Sequence, residues 1–284
     1  MRVLILGSSG MLGHTLVRYL ISKNNLDIAF TLREELQIIK FKEIFKSESF
    51  YKFEANNMEE FESIISDFKP NLCINCIGII NKKFDSKNNI QNIKINSLLP
   101  HYLSTICSKY NSKFIHISTD CVFSGKEGNY KESQNPDPID LYGRSKLLGE
   151  VINDNSTTIR TSIIGHEYKS KNGLLEWILS SKNDVNGYKN AIFSGLTTLE
   201  FSKIIYKYFI LNNNLKGLFH VTSNPISKND LLLKIKDIYK LKINIIPEFN
   251  TRVNRSLSSS KFKSISGYNP PGWETLLKEL KTFG

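Results

Sequence analysis

The feature that most narrows what this chain can become is a glycine turn set between an apolar strand and a helix. Arg2–Leu6 is a short apolar run, Gly7-Ser-Ser-Gly10-Met-Leu-Gly13 follows it at once, and Met11–Ser22 has apolar residues at three- and four-residue spacing. In that setting each glycine has a task. Gly7 permits a tight turn, Gly10 lets backbone approach a pyrophosphate, and Gly13 lets the helix pack closely on the strand. Ser9, Met11 and Leu12 then bring backbone amides to a helix N-terminus, where a negative charge is favoured.

The same alternation continues. Strands are expected at Asp27–Leu32, Phe50–Phe53, Asn71–Cys76, Lys113–Ser118 and Thr157–Thr161, with helices at Met58–Asp67, Ile90–Tyr110 and Asp140–Asn153 between them. Strand and helix in turn make an α/β protein, a Rossmann-like, doubly wound parallel sheet. After Ser162 the glycines at 165, 173, 187 and 195 break the order. A helix at Thr197–Asn212, a strand at Gly217–Val221, a helix at Ser227–Tyr239, a strand at Lys242–Ile246 and a helix at Trp273–Lys281 follow, with Pro270-Pro271 before the last. The expected division is a dinucleotide-binding domain over 1–162, completed by 196–222, and a small C-terminal substrate-binding part from 163–195 and 223–284. The site belongs in the cleft between them.

Composition excludes several classes. The 284 residues carry a net charge of +11, yet the lysines are scattered singly among asparagines and acids, without the dense basic stripe of a nucleic-acid footprint. No stretch approaches a membrane span, and the start runs straight into a strand instead of a signal peptide's apolar region, so a cytoplasmic protein is expected. Cys73 and Cys76 lie three apart on an expected strand and point to opposite faces, which argues for buried thiols and no metal site. Arginine is scarce, so Arg33, Arg160, Arg252 and Arg255 are the positions to examine for bidentate anion contacts.

The second strand ends Phe30-Thr-Leu-Arg33. An acid at this tip would accept from the ribose of NAD, whereas a guanidinium pairs with the 2′-phosphate of NADP, so NADP(H) is the expected cofactor, with Glu34 and Glu35 just beyond. Further along, His116-Ile-Ser-Thr119 closes a strand and Tyr142-Gly-Arg-Ser-Lys146 opens a helix. Tyr142 and Lys146, four apart, share a helix face. A lysine ammonium there would lower the phenol pKa and bind the nicotinamide ribose, Tyr142 would give a proton to a ketone oxygen, and Thr119 would hold that oxygen. Cys76, Ile77 and Gly78 at the end of the fourth strand, Asn96 on the next helix and Ser162 after the sixth strand are expected to line the cofactor, with a capped or buried asparagine as the alternative for Asn96.

With these residues in place the chain resembles the extended short-chain dehydrogenase/reductase superfamily, and within it the dTDP-4-dehydrorhamnose reductase family. Ser118-Thr-Asp-Cys-Val-Phe123 is similar to that family's S-T-D-Y-V-F, Tyr142-Gly-Arg-Ser-Lys-Leu-Leu-Gly-Glu150 to its Y-G-x-[ST]-K-x-x-G-E, and Arg160-Thr-Ser162 to its R-T-S. Arg252-Val-Asn254-Arg255 looks like its R-P-x-N segment. The resemblance implies that Thr119, Tyr142 and Lys146 form the catalytic triad and that NADPH reduces the C4 ketone of a nucleotide-linked 6-deoxysugar for glycan synthesis. It assigns Asp120, Cys121 and Phe123 to the sugar and Arg252, Arg255 and Asn254 to the nucleotide diphosphate. Trp177 and Phe193 are candidates for stacking on a base or lining the pocket, with core packing as the alternative.

Two departures alter the pocket. Cys121 stands where the family has tyrosine, and Ile163 where it often has an aromatic residue, a pattern closer to a subgroup of nucleotide-sugar reductases than to the rhamnose enzymes proper. An epimerase or dehydratase on the same scaffold, which returns its hydride, and a non-catalytic NADP-binding regulatory subunit remain as alternatives. A homodimer is compatible with all three.

Overall fold

The computed structural model describes residues 1–33, 49–80, 86–168, 173–212 and 214–284. Seven strands form one sheet: β1 (Arg2–Leu6), β2 (Asp27–Leu32), β3 (Phe50–Lys52), β4 (Leu72–Asn75), β5 (Lys113–Thr119), β6 (Ser156–Thr161) and β7 (Gly217–His220). Their order is β7-β6-β5-β4-β1-β2-β3 and every pairing is parallel.

Side-chain alternation explains why the sheet is covered twice. Val3 and Ile5 of β1 enter one apolar layer with Leu16 and Leu20 of α1 (Met11–Ile21) and with Phe201 and Phe209, while Leu4 and Leu6 enter another with Phe61 and Ile65 of α2 (Met58–Phe68). Cys73 lies in the second layer and Cys76 packs against the first, so the two thiols are on opposite faces, and all four cysteines are unpaired.

The second layer also takes a long helical stretch: α3 (Ser86–Asn92), π-helical turns over Ile93–Leu98, and α4 (Leu99–Lys109). The sequence pattern marks this stretch but not its widened middle, where buried Asn96 faces α5 (Leu141–Leu148). The expected helix over Asp140–Asn153 is shorter than its apolar pattern. It stops at Gly149, and the chain turns so that Glu150 reaches inward to Arg160.

A third apolar cluster gathers Leu175, Leu231, Ile235, Trp273, Leu276 and Leu280 from the C-terminal helices. Here the strand expected at Lys242–Ile246 forms instead at Ile245–Glu248, in parallel register with Val185–Tyr188. Strands this short have too few alternations to be read from sequence. Among the described residues no helix is long and apolar enough to cross a membrane.

The contact between β1 and α1 depends on Gly13, where a Cβ would stand 2.2 Å from the Gly7 carbonyl oxygen and 2.8 Å from Ser8 Cα. Backbone atoms there cannot step aside as a flexible side chain could. Gly13→Ala is therefore expected to cost about 1–3 kcal/mol, as overpacking does. Gly272→Ala, whose Cβ would meet nothing within 4 Å, should cost under about 1 kcal/mol. Urea midpoints of the two variants check the contrast.

Candidate active site

The carboxyl ends of β1, β2, β4 and β5 meet on one rim of the sheet. The Gly7 and Ser8 amides donate to the Thr31 side chain and carbonyl at 3.2 and 3.1 Å, which ties the glycine turn to the tip of β2. A Cβ on Gly7 would stand 2.9 Å from the Ile77 side chain, so the turn also leans on the segment after β4. Gly10 caps α1 without any side-chain hydrogen bond, leaving the first-turn amides free of an internal side-chain acceptor. An exposed Gly10 beside partly exposed Ser9 and Met11 makes a cradle that fits a diphosphate. Leu12 is different. Its side chain is buried in the core, so only its amide can serve such a ligand. Arg33 is exposed just beyond β2, and Glu34 and Glu35 lie outside the described residues.

Thr119 ends β5 and leads into a single 3₁₀ turn, Asp120–Val122. Its hydroxyl donates to Asp120 Oδ1 at 3.2 Å and accepts from the Cys121 amide at 3.2 Å. Helix α5 starts opposite, with the Asp140 carboxylate accepting from the Gly143 amide at 2.7 Å. A Cβ on Gly143 would lie 2.2 Å from the Cys121 carbonyl oxygen, so only glycine lets the helix come this close. That approach places the Tyr142 phenol beside Thr119, Asp120 and Cys121, the groups that act on it. Burial, with the neighbouring Cys121 and Asp120, pushes the phenol above its ordinary range, so Tyr142 is a protonated donor through neutral pH.

One expectation is corrected here. Lys146 does not lower the Tyr142 pKa in this state, because its amine faces β5: it donates to the Ile117 carbonyl at 2.7 Å and lies 3.3 Å from His116 Nε2. Lys146 is 4% exposed, and burial pulls its pKa down to about 8. It stays within reach of the cofactor rim, since a Cβ on Gly78 would be 4.0 Å from Lys146 Nζ.

Several other assignments change. Asn96 was expected to line the cofactor, but its amide is taken up by protein: Oδ1 accepts from the Ile79 amide, and Nδ2 lies 2.9 to 3.1 Å from Ile79 O, Asn92 Oδ1 and Ser145 Oγ. It fixes the loop after β4 against α5. Phe123 was expected at the sugar, yet it is 0% exposed, stacked on Tyr130 at 4.2 Å and covered by the Arg160 guanidinium at 5.2 Å. It is core. Asn254 accepts from the Ser256 amide and hydroxyl and presses on Gly128, so it braces the loop after β5 instead of facing a ligand. Arg160 is spent internally in a bidentate pair with Glu150, both bonds 2.7 Å. Phe193 is buried against Trp273, with ring centroids 5.4 Å apart, and takes the packing alternative.

Arg252 and Trp177 are exposed, Arg252 just before the two-residue strand Val253–Asn254 and Trp177 on the helix Leu174–Ser180. Arg255 is the arginine that reaches the site. Its Nε donates to the Phe123 carbonyl at 3.0 Å, its Nη1 lies 3.6 Å from Cys121 Sγ, and its charge opposes the rise that burial gives Asp120. Cys121, its thiol pushed up to about 12 by burial, forms a small neutral wall beside Tyr142. Ser162 leaves β6 with its carbonyl accepting from the Leu196 amide at 2.8 Å. Asn75 and His116, buried behind Lys146, were not read as site residues, and a polar pair on two adjacent buried strands was the signal for them.

A tyrosine paired with a threonine, a lysine one turn along the helix and an anion cradle on the same rim form an arrangement able to protonate an oxygen beside a bound dinucleotide. Comparison with known proteins agrees with this architecture. The chain is 25% identical over 307 residues to the dTDP-4-dehydrorhamnose reductase of Aggregatibacter actinomycetemcomitans, covering 99% of both chains. It is 25% identical over 261 residues to the probable low-salt glycan biosynthesis reductase Agl14 of Haloferax volcanii, covering 84% of this chain and 80% of that one. The dTDP-4-dehydrorhamnose reductase of Bacillus anthracis, solved in complex with NADP, superposes with a TM-score of 0.82 over 100% of this chain and 98% of that one, at 21% identity. The sequence model of the RmlD substrate binding domain matches residues 1–186, more than half of the chain, and the protein belongs to that family.

Proposed function

We propose that the protein is an NADPH-dependent reductase acting on the keto group, at C4, of a nucleotide-diphospho-6-deoxysugar, in the synthesis of polysaccharide or glycan precursors. The observation that carries this reading is Tyr142, a protonated phenol beside Thr119, on the rim that also holds the glycine cradle and Lys146. The names of the full-length relatives support the same reaction class.

Bound NADPH would supply hydride. The amides of Ser9, Gly10, Met11, Leu12 and Gly13 would hold its diphosphate, Arg33 its 2′-phosphate, and the backbone of Cys76, Ile77 and Gly78, with Ser162, would line the rest of it. Lys146 binds the ribose hydroxyls. Thr119 would orient the substrate oxygen and Tyr142 would deliver the proton that balances the hydride. Asp120 and Cys121 meet the sugar, and Arg255, with Arg252 from the exposed loop, meets the diphosphate.

Tyr142→Phe is expected to lower kcat at least ~100-fold while leaving the Kd for NADPH within about three-fold. Purified protein with NADPH and a panel of 4-keto-6-deoxy sugars on dTDP, UDP and GDP, followed at the reduced-nicotinamide band, tests the reading itself. Net oxidation of NADPH is expected, and an epimerase would give none. Arg33→Ala should reduce the preference for NADPH over NADH roughly 10- to 100-fold, the worth of a charged hydrogen-bonded contact of about 1.5–3 kcal/mol. An unchanged ratio would remove Arg33 from the cofactor site.

A further inference from the structure

Behind Lys146 lies a line of polar groups sealed from solvent: Asn75 and His116 are 0% exposed and Lys146 is 4% exposed. Asn75 Oδ1 accepts from the Ile77 amide at 3.0 Å. That bond identifies the oxygen, so it is the NH₂ of Asn75 that points at His116 Nδ1, 3.2 Å away. Nδ1 must then be the acceptor and carries no proton. In a neutral imidazole the proton sits on Nε2, and Nε2 is the atom 3.3 Å from Lys146 Nζ. An ammonium has donors only, so it cannot share that contact with an N–H. A neutral amine can, by accepting from Nε2–H while donating to the Ile117 carbonyl at 2.7 Å.

We propose that His116, fixed by Asn75 in its Nε2–H tautomer, is a positioning residue that favours the uncharged amine of Lys146 over the ammonium in the cofactor-free protein, so that in mildly alkaline solution cofactor binding is coupled to uptake of a proton by Lys146. The idea rests on the reductase reading for its use but not for its geometry. Charging Lys146 against β5 would force either a donor–donor contact at Nε2 or, with the proton moved to Nδ1, the same conflict at Asn75. Drawing the amine onto the hydroxyls of a ribose removes the conflict and lets it take a proton from solvent, as the cation that a reductive site requires.

The other groups facing these two leave the logic intact. The Cys76 thiol, after β4, is pushed up to about 12 by burial and is neutral. Glu150, one turn beyond Lys146, is bound by both Arg160 nitrogens and by the Ser118 hydroxyl. His116 feels burial first, then Lys146, then His101 on α4, and all three push it well below the ordinary histidine range, so the imidazole does not become a cation near neutral pH. Phe114, stacked on its ring at 6.4 Å, and Tyr142 add no competing charge.

Two measurements decide the proposal. In protein labelled with ¹⁵N-histidine, long-range proton–nitrogen correlation at about pH 9, above the Lys146 value of about 8, should show one of the five histidines, identified by its loss in His116→Gln, as the Nε2–H tautomer. An Nδ1–H tautomer or an imidazolium overturns the proposal, whatever the catalytic activity. Calorimetry of NADPH binding at about pH 9, between the Lys146 value of about 8 and the ordinary lysine value, in two buffers of different ionisation enthalpy, should show uptake approaching one proton per chain. His116→Gln offers a carbonyl to the ammonium, and its uptake should fall below about half of the wild-type value. Asn75→Asp, which accepts from Nδ1–H and turns Nε2 into an acceptor, should do the same and serves if the glutamine variant fails to fold. Both variants should also move the lysine limb of the kcat/KM profile upward by about one pH unit, which a merely structural histidine would not do. Absence of uptake in the wild type sinks the coupling. Failure to reduce any keto sugar, with uptake present, sinks only the reductase reading.

Discussion

A parallel sheet buried on both faces has only the ends of its strands left to meet a ligand. Here the two apolar layers take alternate residues of each strand, so β1 gives Val3 and Ile5 to one layer and Leu4 and Leu6 to the other. Polar side chains are therefore excluded along the strands except where they find partners. The glycine turn, Arg33, Cys76, Thr119 and Ser162 all fall at carboxyl ends, and parallel pairing places those ends on one rim. The location of the site follows from the burial of everything else.

Close backbone approaches turn that rim into a site. Gly13 lets α1 meet β1, and Gly143 lets α5 rest on the Cys121 carbonyl, which sets Tyr142 on Thr119. Helix α5 would be a poor helix alone, at eight residues. It is held by its Asp140 cap, by Asn96 reaching Ser145 and by Ser97 donating to the Ser145 carbonyl at 2.8 Å. The helix that carries Tyr142 and Lys146 is positioned by neighbours more than by its own propensity.

The two opposite charges most deeply buried beside the sheet answer each other. Glu150 and Arg160 form a bidentate pair at 5% and 4% side-chain exposure, and His220 completes it, with Nε2 beside Arg160 Nη1 and Nδ1 bonded to the Tyr130 carbonyl at 3.0 Å. Removing one partner of such a pair strands the other in a low dielectric, which costs far more than the pair contributes. The arginine of the Arg160-Thr-Ser162 run and the glutamate that ends the Tyr142–Glu150 motif thus answer each other across the fold. In sequence they read as two separate motifs, one of them as a candidate anion site.

The order of strands and helices, the glycine turn, the parallel sheet and the shared helix face of Tyr142 and Lys146 were determined by the sequence alone, because each rests on local spacing: two residues for a strand face, four for a helix face, three between glycines. What a polar side chain faces is a non-local quantity. Only the tertiary structure decided that Phe123 and Asn254 brace the core and a loop, that Arg255 and not Arg160 reaches the site, and that Asn96 holds a loop. It also decided that Lys146 meets a histidine on β5 thirty residues before it. Hydrogen-bond direction and burial depend on partners brought together by packing, and no periodicity along the chain encodes them.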